Sequence, residues 1–324
     1  MNQKRLLLAL AACCALALGV AACGEDEAET SAQQTSSAEG GELSGKIRID
    51  GSSTVFPFAQ AAAELFNEEQ PDVQITVGQS GTGGGFEKFC AGETDVSDAS
   101  RPIDEEEEVP VCEENGVQYG EVQVANDGIA IATNKKLAIE CLTVEQLKRL
   151  WAPKSRIKSY SDIDPSFPDQ PVALFGPGTD SGTFEFFTEE IVGEEGAQRT
   201  DYEASEDDNQ LVTGVAGTDG GLGYFGLSYY EANTDKLNEV QVDAGAGCVA
   251  PTSETVQDGS YKPLSRPLFM YPSEKAMARP EVKAFMDFVV ANQQVIAEAA
   301  QIVPLTEEQV REAEAGLQTL AGGA

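Results

Sequence analysis

The chain has no histidine, and its 324 residues include only 21 Lys and Arg against 55 Asp and Glu. Without an imidazole, catalytic pairs and triads that use a histidine base are excluded, as are histidine-ligated zinc and haem. The formal charge of -34 argues against nucleic-acid binding, because phosphate contacts normally use Lys or Arg. No CxxC pair occurs, so no metal or cofactor is expected from such a motif. The chemistry of a site must come from Ser, Thr, Gly, Asp and Arg.

The N-terminus has the pattern of an export signal. Lys4 and Arg5 precede an apolar stretch over residues 6–20, and small residues then lead to Cys23. This resembles a bacterial lipoprotein signal, in which the cysteine is lipidated and becomes the first mature residue. We therefore predict a signal peptide over residues 1–22, lipidation at Cys23 and an extracytoplasmic protein held at the cell membrane. A plain signal peptide and an uncleaved membrane helix are the alternatives, although the apolar run is short for a membrane span.

Residues 23–45 are acidic and rich in Ser, Gln and Gly, and they contain few apolar side chains. Such a segment cannot bury enough surface to fold, so we predict a disordered tether. Without residues 1–22, which hold two basic residues and no acidic one, the formal charge of -34 becomes -36. We attribute this charge to solubility, because the field of exposed charges is screened over about 8 Å at physiological salt. The acidic run at residues 104–108 is interpreted as a solvated face.

Cysteine usage agrees with export. The chain has seven cysteines, of which three precede residue 24, and the other four are Cys90, Cys112, Cys141 and Cys248. An even number in an exported chain predicts two disulfides, with three possible pairings. The spacing favours Cys90–Cys112 and Cys141–Cys248, and four buried free thiols are the alternative.

Strand and helix periodicities alternate along the chain and predict an α/β fold. Strand patterns at residues 46–50, 73–77 and 94–97 each run into a turn of small polar residues. In open α/β sheets, ligands bind just outside the carboxyl ends of the strands. The pattern at residues 142–151 predicts an amphipathic helix with Thr143 as its cap.

The order of these patterns predicts two lobes around a cleft. A strand over residues 122–133 is interpreted as crossing between the lobes, and residues 261–271 as returning the chain to the first. We predict that lobe I comprises residues 46–127 and 257–324, and that lobe II comprises residues 128–256. The chain length suits two domains of ordinary size or one large domain.

Four turns share a composition of hydroxyl side chains with glycine or arginine. They are Ser53-Thr54, Ser80-Gly81-Thr82, Ser100-Arg101 and Ser181-Gly182-Thr183. Hydroxyls and free N–H groups near helix N-termini bind oxyanions, and glycine lets the anion approach the backbone. Arg101 adds a fork that can engage two oxygens of one anion. One such turn is ordinarily a helix cap, whereas four in one chain predict an oxyanion site.

Five segments resemble, in order, the motifs of the PstS family of phosphate-binding proteins. They are GSSTVFPFAQAAAELF, GQSGTGGGFEKF, DASRPID, NDGIAIAT and DSGTFEFF, and the resemblance spans roughly residues 46–320. It implies a type II periplasmic-binding-protein fold, in which two lobes joined by two hinge strands close on phosphate. It also implies a monomer without catalytic activity that docks on the membrane permease of an ABC importer.

The resemblance implies specific phosphate contacts. In the first loop, the contacts come from Ser53, Thr54 and the backbone N–H of Val55. In the second loop, they come from Ser80 or Thr82, and in the third from Ser100 and Arg101. In the fourth loop, they come from Ser181, Gly182 and Thr183. Some relatives have an arginine where Pro177 stands here, which leaves Arg101 as the sole cation unless another reaches in. Removing the Arg101 side chain is then expected to weaken binding by several kcal/mol.

Some relatives also have an aspartate where Ser100 stands here. A carboxylate in the cleft would accept the proton that phosphate carries and sulfate lacks, and would repel sulfate. Our first candidate for this role is Asp127, at the predicted crossing strand, followed by Asp98 and Asp180. Alternatively, Asp127 is an ordinary turn residue before Gly128.

Three other functions remain as alternatives. The first is a receptor for another oxyanion such as sulfate, molybdate or tungstate, which would lack a carboxylate that accepts the ligand's proton. The second is an enzyme such as a phosphatase, which would need a carboxylate-bound metal, and no Asp/Glu spacing suggests one. The third is a surface or signalling protein that keeps the fold without the ligand.

Overall fold

A computed structural model of the chain describes residues 43–322. The predicted signal peptide, the lipidation site Cys23 and residues 23–42 of the predicted tether lie outside these described residues. Within them, the strands are β1 Gly45–Gly51, β2 Val73–Gln79, β3 Val96–Ala99, β4 Val122–Asn134, β5 Cys141–Thr143, β6 Ala173–Gly176, β7 Glu203–Ala204, β8 Gly221–Gly226, β9 Leu237–Asp243, β10 Cys248–Val249 and β11 Ser265–Pro272.

Helices alternate with these strands for most of the chain. They are α1 Phe56–Glu69, α2 Gly81–Cys90, α3 Val109–Glu114, α4 Val144–Trp151, α5 Gly182–Phe187, α6 Asp208–Gly217, α7 Leu227–Glu231, α8 Ser253–Gln257, α9 Glu274–Met277, α10 Pro280–Ala291, α11 Gln293–Ala299 and α12 Glu307–Gly322. A π-helical turn, Thr188–Val192, continues α5. The predicted mixed α/β fold is confirmed.

Local sequence explains where individual helices begin. α1 carries Pro57 in its first turn, where the missing N–H costs nothing, and it buries Phe58, Ala62 and Phe66 at helical spacing. The predicted cap of α4 is confirmed, since the Thr143 hydroxyl accepts the Gln146 N–H at 3.1 Å and forms a capping box.

The sheet is organised around the long strand β4. In the order β2-β1-β3-β11-β4-β8-β6-β7, the first half of β4 pairs with β11 and the second half with β8 and β9. The predicted crossing strand is therefore one continuous element. Since β1 runs parallel to both β2 and β3, the carboxyl ends of these three strands lie at one edge of the sheet.

The buried apolar side chains form two large clusters and one small one. One large cluster uses residues 47–125 and 268–317, and the other uses residues 129–264 with Val303. The small cluster surrounds the disulfide Cys90–Cys112. Each large cluster thus packs around its own part of the sheet, and β4 contributes to both.

Both predicted disulfides are confirmed. Cys90 pairs with Cys112, with the Cα atoms 4.3 Å apart, and Cys141 pairs with Cys248, with the Cα atoms 6.1 Å apart. The first links α2 to α3, and the second links β5 to β10 on either side of β9. The alternative of four free thiols is therefore wrong.

Asp98 is an acidic side chain in the interior. It lies in β3 opposite Met270 of β11, is 0% exposed, and neither carboxylate oxygen has a hydrogen-bond partner among residues 43–322. Burial, together with the charge of Asp50, raises the pKa of Asp98 well above its ordinary value. The Asp98 side chain therefore keeps its proton to a higher pH than an exposed aspartate does.

We expect Asp98→Asn to increase stability at neutral pH. The unfolded chain releases the Asp98 proton near pH 4, whereas the folded chain retains it to a much higher pH. Above about pH 4, this one group lowers the free energy of unfolding by up to about 1.4 kcal/mol per pH unit, until the folded-state pKa is passed. Urea unfolding at several pH values should show that the variant loses this slope. Asp72→Asn, at an exposed site, is the matched control, and an unchanged slope in Asp98→Asn would rule out a neutral Asp98.

Candidate binding cleft

A cavity of about 1000 Å³ lies at the edge of the sheet where β1, β2 and β3 end. The loops after these strands supply one part of its wall, and α5 and the start of β11 supply another. Six of the residues predicted to contact an anion line it: Ser53, Thr54, Ser80, Thr82, Ser100 and Arg101. Three of the four predicted turns therefore face one space.

The fourth turn abuts the first. Ser181 caps α5 by accepting the Thr183 N–H at 3.2 Å, and Gly182 follows it. A Cβ atom on Gly182 would lie 2.5 Å from Thr54 Oγ1 and 3.0 Å from Ser53 Oγ, so only glycine lets α5 approach this loop so closely. Val55 is buried immediately before α1.

The hydroxyl groups of the cavity already have partners. The Ser53 hydroxyl donates to Glu185 Oε2 at 2.7 Å, and the Thr82 and Ser100 hydroxyl oxygens are 3.0 Å apart. The Ser80 hydroxyl donates to Asp50. An incoming anion must therefore compete for these donors.

Arg101 lines the cavity, but its charge is already paired. Its guanidinium donates to both carboxylate oxygens of Glu108 at 2.8 and 2.9 Å, and these bonds raise the pKa of Arg101. The Arg101 side chain is 47% exposed, whereas that of Glu108 is only 14% exposed. The interpretation of residues 104–108 as merely a solvated face is thus wrong for Glu108, which fixes the cation.

A second cation, Arg266, reaches into the cleft from β11. It lies directly opposite Asp127 of β4, and its Nε donates to Asp127 Oδ2 at 3.1 Å. Its Nη2 donates to Thr54 Oγ1 at 2.7 Å, and its guanidinium carbon lies 3.7 Å from the centre of the Phe186 ring. Burial lowers the pKa of Arg266, but an arginine keeps its charge at neutral pH. Arg101 is therefore not the only arginine that lines the cavity, which is the exception that the sequence analysis left open.

Sequence reasoning missed Arg266 because it sits inside a segment that reads as an ordinary strand. The available signal was an arginine just before the apolar residues 268–270, in the segment interpreted as returning the chain to the first lobe. A charge in such a strand needs a buried partner.

The three aspartates proposed to read a ligand proton do not line the cavity. Asp127 is 6% exposed and pairs with Arg266 behind the wall. Asp98 is enclosed in the sheet, and Asp180 is exposed on the turn before α5.

The carboxylates that do line the cavity were not predicted. They come from α5 and the turns after it: Glu185, Glu189, Glu190 and Glu195. Burial and the neighbouring Glu189 raise the pKa of Glu190. Burial, with Glu185 and Glu189, raises the pKa of Glu195. Lys262 lines the same cavity.

Two kinds of feature are absent among residues 43–322. None of the helices there combines the length and apolarity that crossing a membrane requires. In the same range, no three His, Cys, Asp or Glu side chains are grouped so as to hold a metal ion.

The sequence has recognisable relatives. The profile of the PBP superfamily domain matches residues 29–293. Protein SphX of Synechocystis sp. is 46% identical over 271 residues, which cover 82% of this chain and 80% of that protein. The phosphate-binding protein PstS of Staphylococcus saprophyticus is 39% identical over 288 residues, or 88% of each chain.

Solved structures resemble this one. A possible phosphate binding protein from Planctomyces limnophilus superposes with a TM-score of 0.80 at 42% identity, covering 86% of this chain and 99% of that one. A putative phosphate ABC transporter substrate-binding protein with bound phosphate, from Clostridium perfringens, superposes with a TM-score of 0.56 at 28% identity, covering 81% and 100% of the two chains.

Proposed function

We infer the function from one premise: the chain belongs to the PBP superfamily and, within it, to the PstS group of phosphate-binding proteins. The predicted family and the predicted two-lobed α/β fold are confirmed. The protein binds inorganic phosphate outside the cytoplasm and serves an ABC-type phosphate importer. The observation that carries this function is the gathering of three of the predicted turns around one cleft with a largely buried, ion-paired arginine.

We propose that Arg266 is the principal cation for phosphate. Its guanidinium is held from two sides, by Asp127 in the neighbouring strand and by the Phe186 ring across the cleft. Because Asp127 is committed to this ion pair, its role is to orient Arg266 rather than to accept a proton from the ligand. Thr54, which Arg266 contacts directly, places a hydroxyl beside the same anion position.

The remaining predicted contacts surround this position. Ser53, Ser80, Thr82 and Ser100 offer hydroxyl donors from three loops, and Arg101 adds charge from the open side. The backbone N–H groups of Val55, Gly182 and Thr183 and the Ser181 hydroxyl complete the set implied by the family resemblance. Hydroxyl and N–H donors in a cleft act at contact distance, where the protein's acidic exterior is largely screened.

The proposal extends to how the protein is held and what it meets. We propose that Cys23 carries the lipid anchor, that the monomer docks on the importer's permease subunits, and that it has no enzymatic activity. We also propose lobe boundaries at residues 127–128 and 256–257, with β4 and the segment leading into β11 as the hinges. The lipoprotein-like N-terminus and the division of the apolar clusters near these positions support the anchor and the boundaries.

Calorimetric titration of a soluble form that starts after Cys23, first stripped of bound anion, tests the function. We expect one phosphate to bind per chain, and sulfate and molybdate to bind at least about 100-fold more weakly. The glutamates that line the cavity can accept a hydrogen bond from a phosphate O–H, whereas they repel an anion without one. Preference for sulfate or molybdate would instead indicate a different oxyanion receptor. Binding of none of the three would favour the surface or signalling alternative.

A further inference from the structure

We propose that the cleft selects phosphate as the singly charged dihydrogen ion, and that Glu185 is the main determinant of this choice. The inference rests on the proposed function, phosphate binding, and goes beyond it by naming the ionic form of the ligand. Phosphate near neutral pH is a mixture of the singly and doubly charged ions, so a site can distinguish them.

The first argument is the charge of the cavity wall. Its charged lining residues are Arg101, Lys262 and Arg266 against Glu185, Glu189, Glu190 and Glu195. Two of the cations already form ion pairs, Arg101 with Glu108 and Arg266 with Asp127. The negative charge of Asp104 also interacts with Arg101, and the charges of Asp208 and Asp127 repel each other. The acidic groups outnumber the basic ones, so each additional negative charge on the ligand is unfavourable.

The second argument is the position of Glu185. Its carboxylate accepts the Ser53 hydroxyl proton at 2.7 Å, so an acceptor already sits beside a predicted phosphate donor. An ionised carboxylate can only accept hydrogen bonds. Dihydrogen phosphate offers two O–H donors to such a wall, whereas the doubly charged ion offers one O–H and brings a second repulsive charge.

The third argument is that the pKa values of two glutamates in the cavity wall are raised. Burial and neighbouring carboxylates raise the pKa of both Glu190 and Glu195, which means that this region already disfavours further negative charge. Since Glu185 contributes to the raised pKa of Glu195, removing the Glu185 charge also weakens this effect at Glu195.

Phosphorus-31 NMR of phosphate bound to the soluble protein tests the inference directly, because the chemical shift reports the ionic form. Between about pH 6 and pH 8, we expect the bound signal to stay at the position of the singly charged ion while the free signal titrates. Calorimetry over the same range should show the affinity for total phosphate falling about tenfold per pH unit once the free ion becomes mostly doubly charged.

Glu185→Gln is the deciding variant, with Glu194→Gln as the matched control. Glu194 is an exposed glutamate that follows the same helical turn and is not among the lining residues. We expect Glu185→Gln to flatten the pH dependence of affinity and to move the bound signal toward the doubly charged ion, and Glu194→Gln to change neither. Circular dichroism checks that both variants are folded.

The outcomes separate this inference from the function on which it rests. A bound signal at the position of the doubly charged ion at about pH 8 would overturn the inference and leave phosphate binding intact. A singly charged bound ion that Glu185→Gln does not alter would overturn the role of Glu185. The absence of any bound signal at every pH would overturn phosphate binding itself.

Discussion

Arg266→Ala is expected to weaken phosphate binding by about 100- to 1000-fold. Its guanidinium contacts Asp127, Thr54 and the Phe186 ring, and its side chain is 13% exposed. Truncating one partner of a desolvated charge contact typically costs about 2–5 kcal/mol of binding free energy. Each 1.4 kcal/mol is a factor of ten in affinity, so a loss of about 100- to 1000-fold lies within that range. The variant loses the cation that faces the ligand, and it also leaves the Asp127 carboxylate unpaired.

Calorimetry with phosphate measures this loss, and two further variants interpret it. Arg266→Gln combined with Asp127→Asn removes both charges of the pair and so preserves folding if the single variant is unstable. Arg101→Ala is the matched control at a second lining arginine, and it should lose much less because Arg101 is half exposed and already paired with Glu108. Equal losses for Arg101→Ala and Arg266→Ala would contradict the assignment of Arg266 as the principal cation.

Replacing Cys141 and Cys248 by serine together is expected to lower the free energy of unfolding by about 5 kcal/mol. The disulfide closes a loop of 107 residues, and the entropy that a cross-link removes from the unfolded chain grows with loop length. The corresponding double replacement of Cys90 and Cys112, which closes a loop of 22 residues, should cost about 3 kcal/mol.

Urea unfolding of the oxidised wild type and the two double variants measures the difference. Each variant removes one disulfide and adds two hydroxyls, but Cys90 and Cys112 are buried, whereas Cys141 is half-buried and Cys248 is exposed. If the pair with the shorter loop proved to be the more stabilising, packing in the small cluster around Cys90–Cys112 would dominate over chain entropy.

The arrangement of the cleft also accounts for an anion receptor with a formal charge of -34. Exposed carboxylates act through a field that falls off over about 8 Å at physiological salt. The cleft holds its cations by direct contact, through Arg101–Glu108 and Arg266–Asp127, and these pairs limit its net attraction for anions. Discrimination between ionic forms of one ligand is the consequence that the NMR experiment measures.

Short stretches of sequence predict many of the individual strands and helices. The strands β1 and β2, the helix α1 and the capped helix α4 follow from apolar periodicity and from Pro57 and Thr143 at the helix starts. Some boundaries were less predictable. The sequence over residues 280–300 has the pattern of one helix, but the structure divides it at Asn292 into α10 and α11, a break for which the sequence has no clear signal.

The cleft was predictable in part for the same local reason. Turns of Ser, Thr and Gly at strand ends offer hydrogen-bond donors that are recognisable in the sequence. Parallel strands place their carboxyl ends side by side, so Ser53, Ser80 and Ser100 line the same cavity. The disulfide pairing also followed from spacing.

Only the tertiary structure decided which charged and polar side chains contact each other. Asp127 and Arg266 are 139 residues apart in sequence, and Ser53 and Glu185 are 132 apart. The register between β4 and β11 sets the first contact, and the approach of α5 to the loop after β1 sets the second. Periodicity and composition describe neighbours along the chain, whereas the direction of a charged side chain depends on packing between distant segments, where desolvation must be offset by a partner.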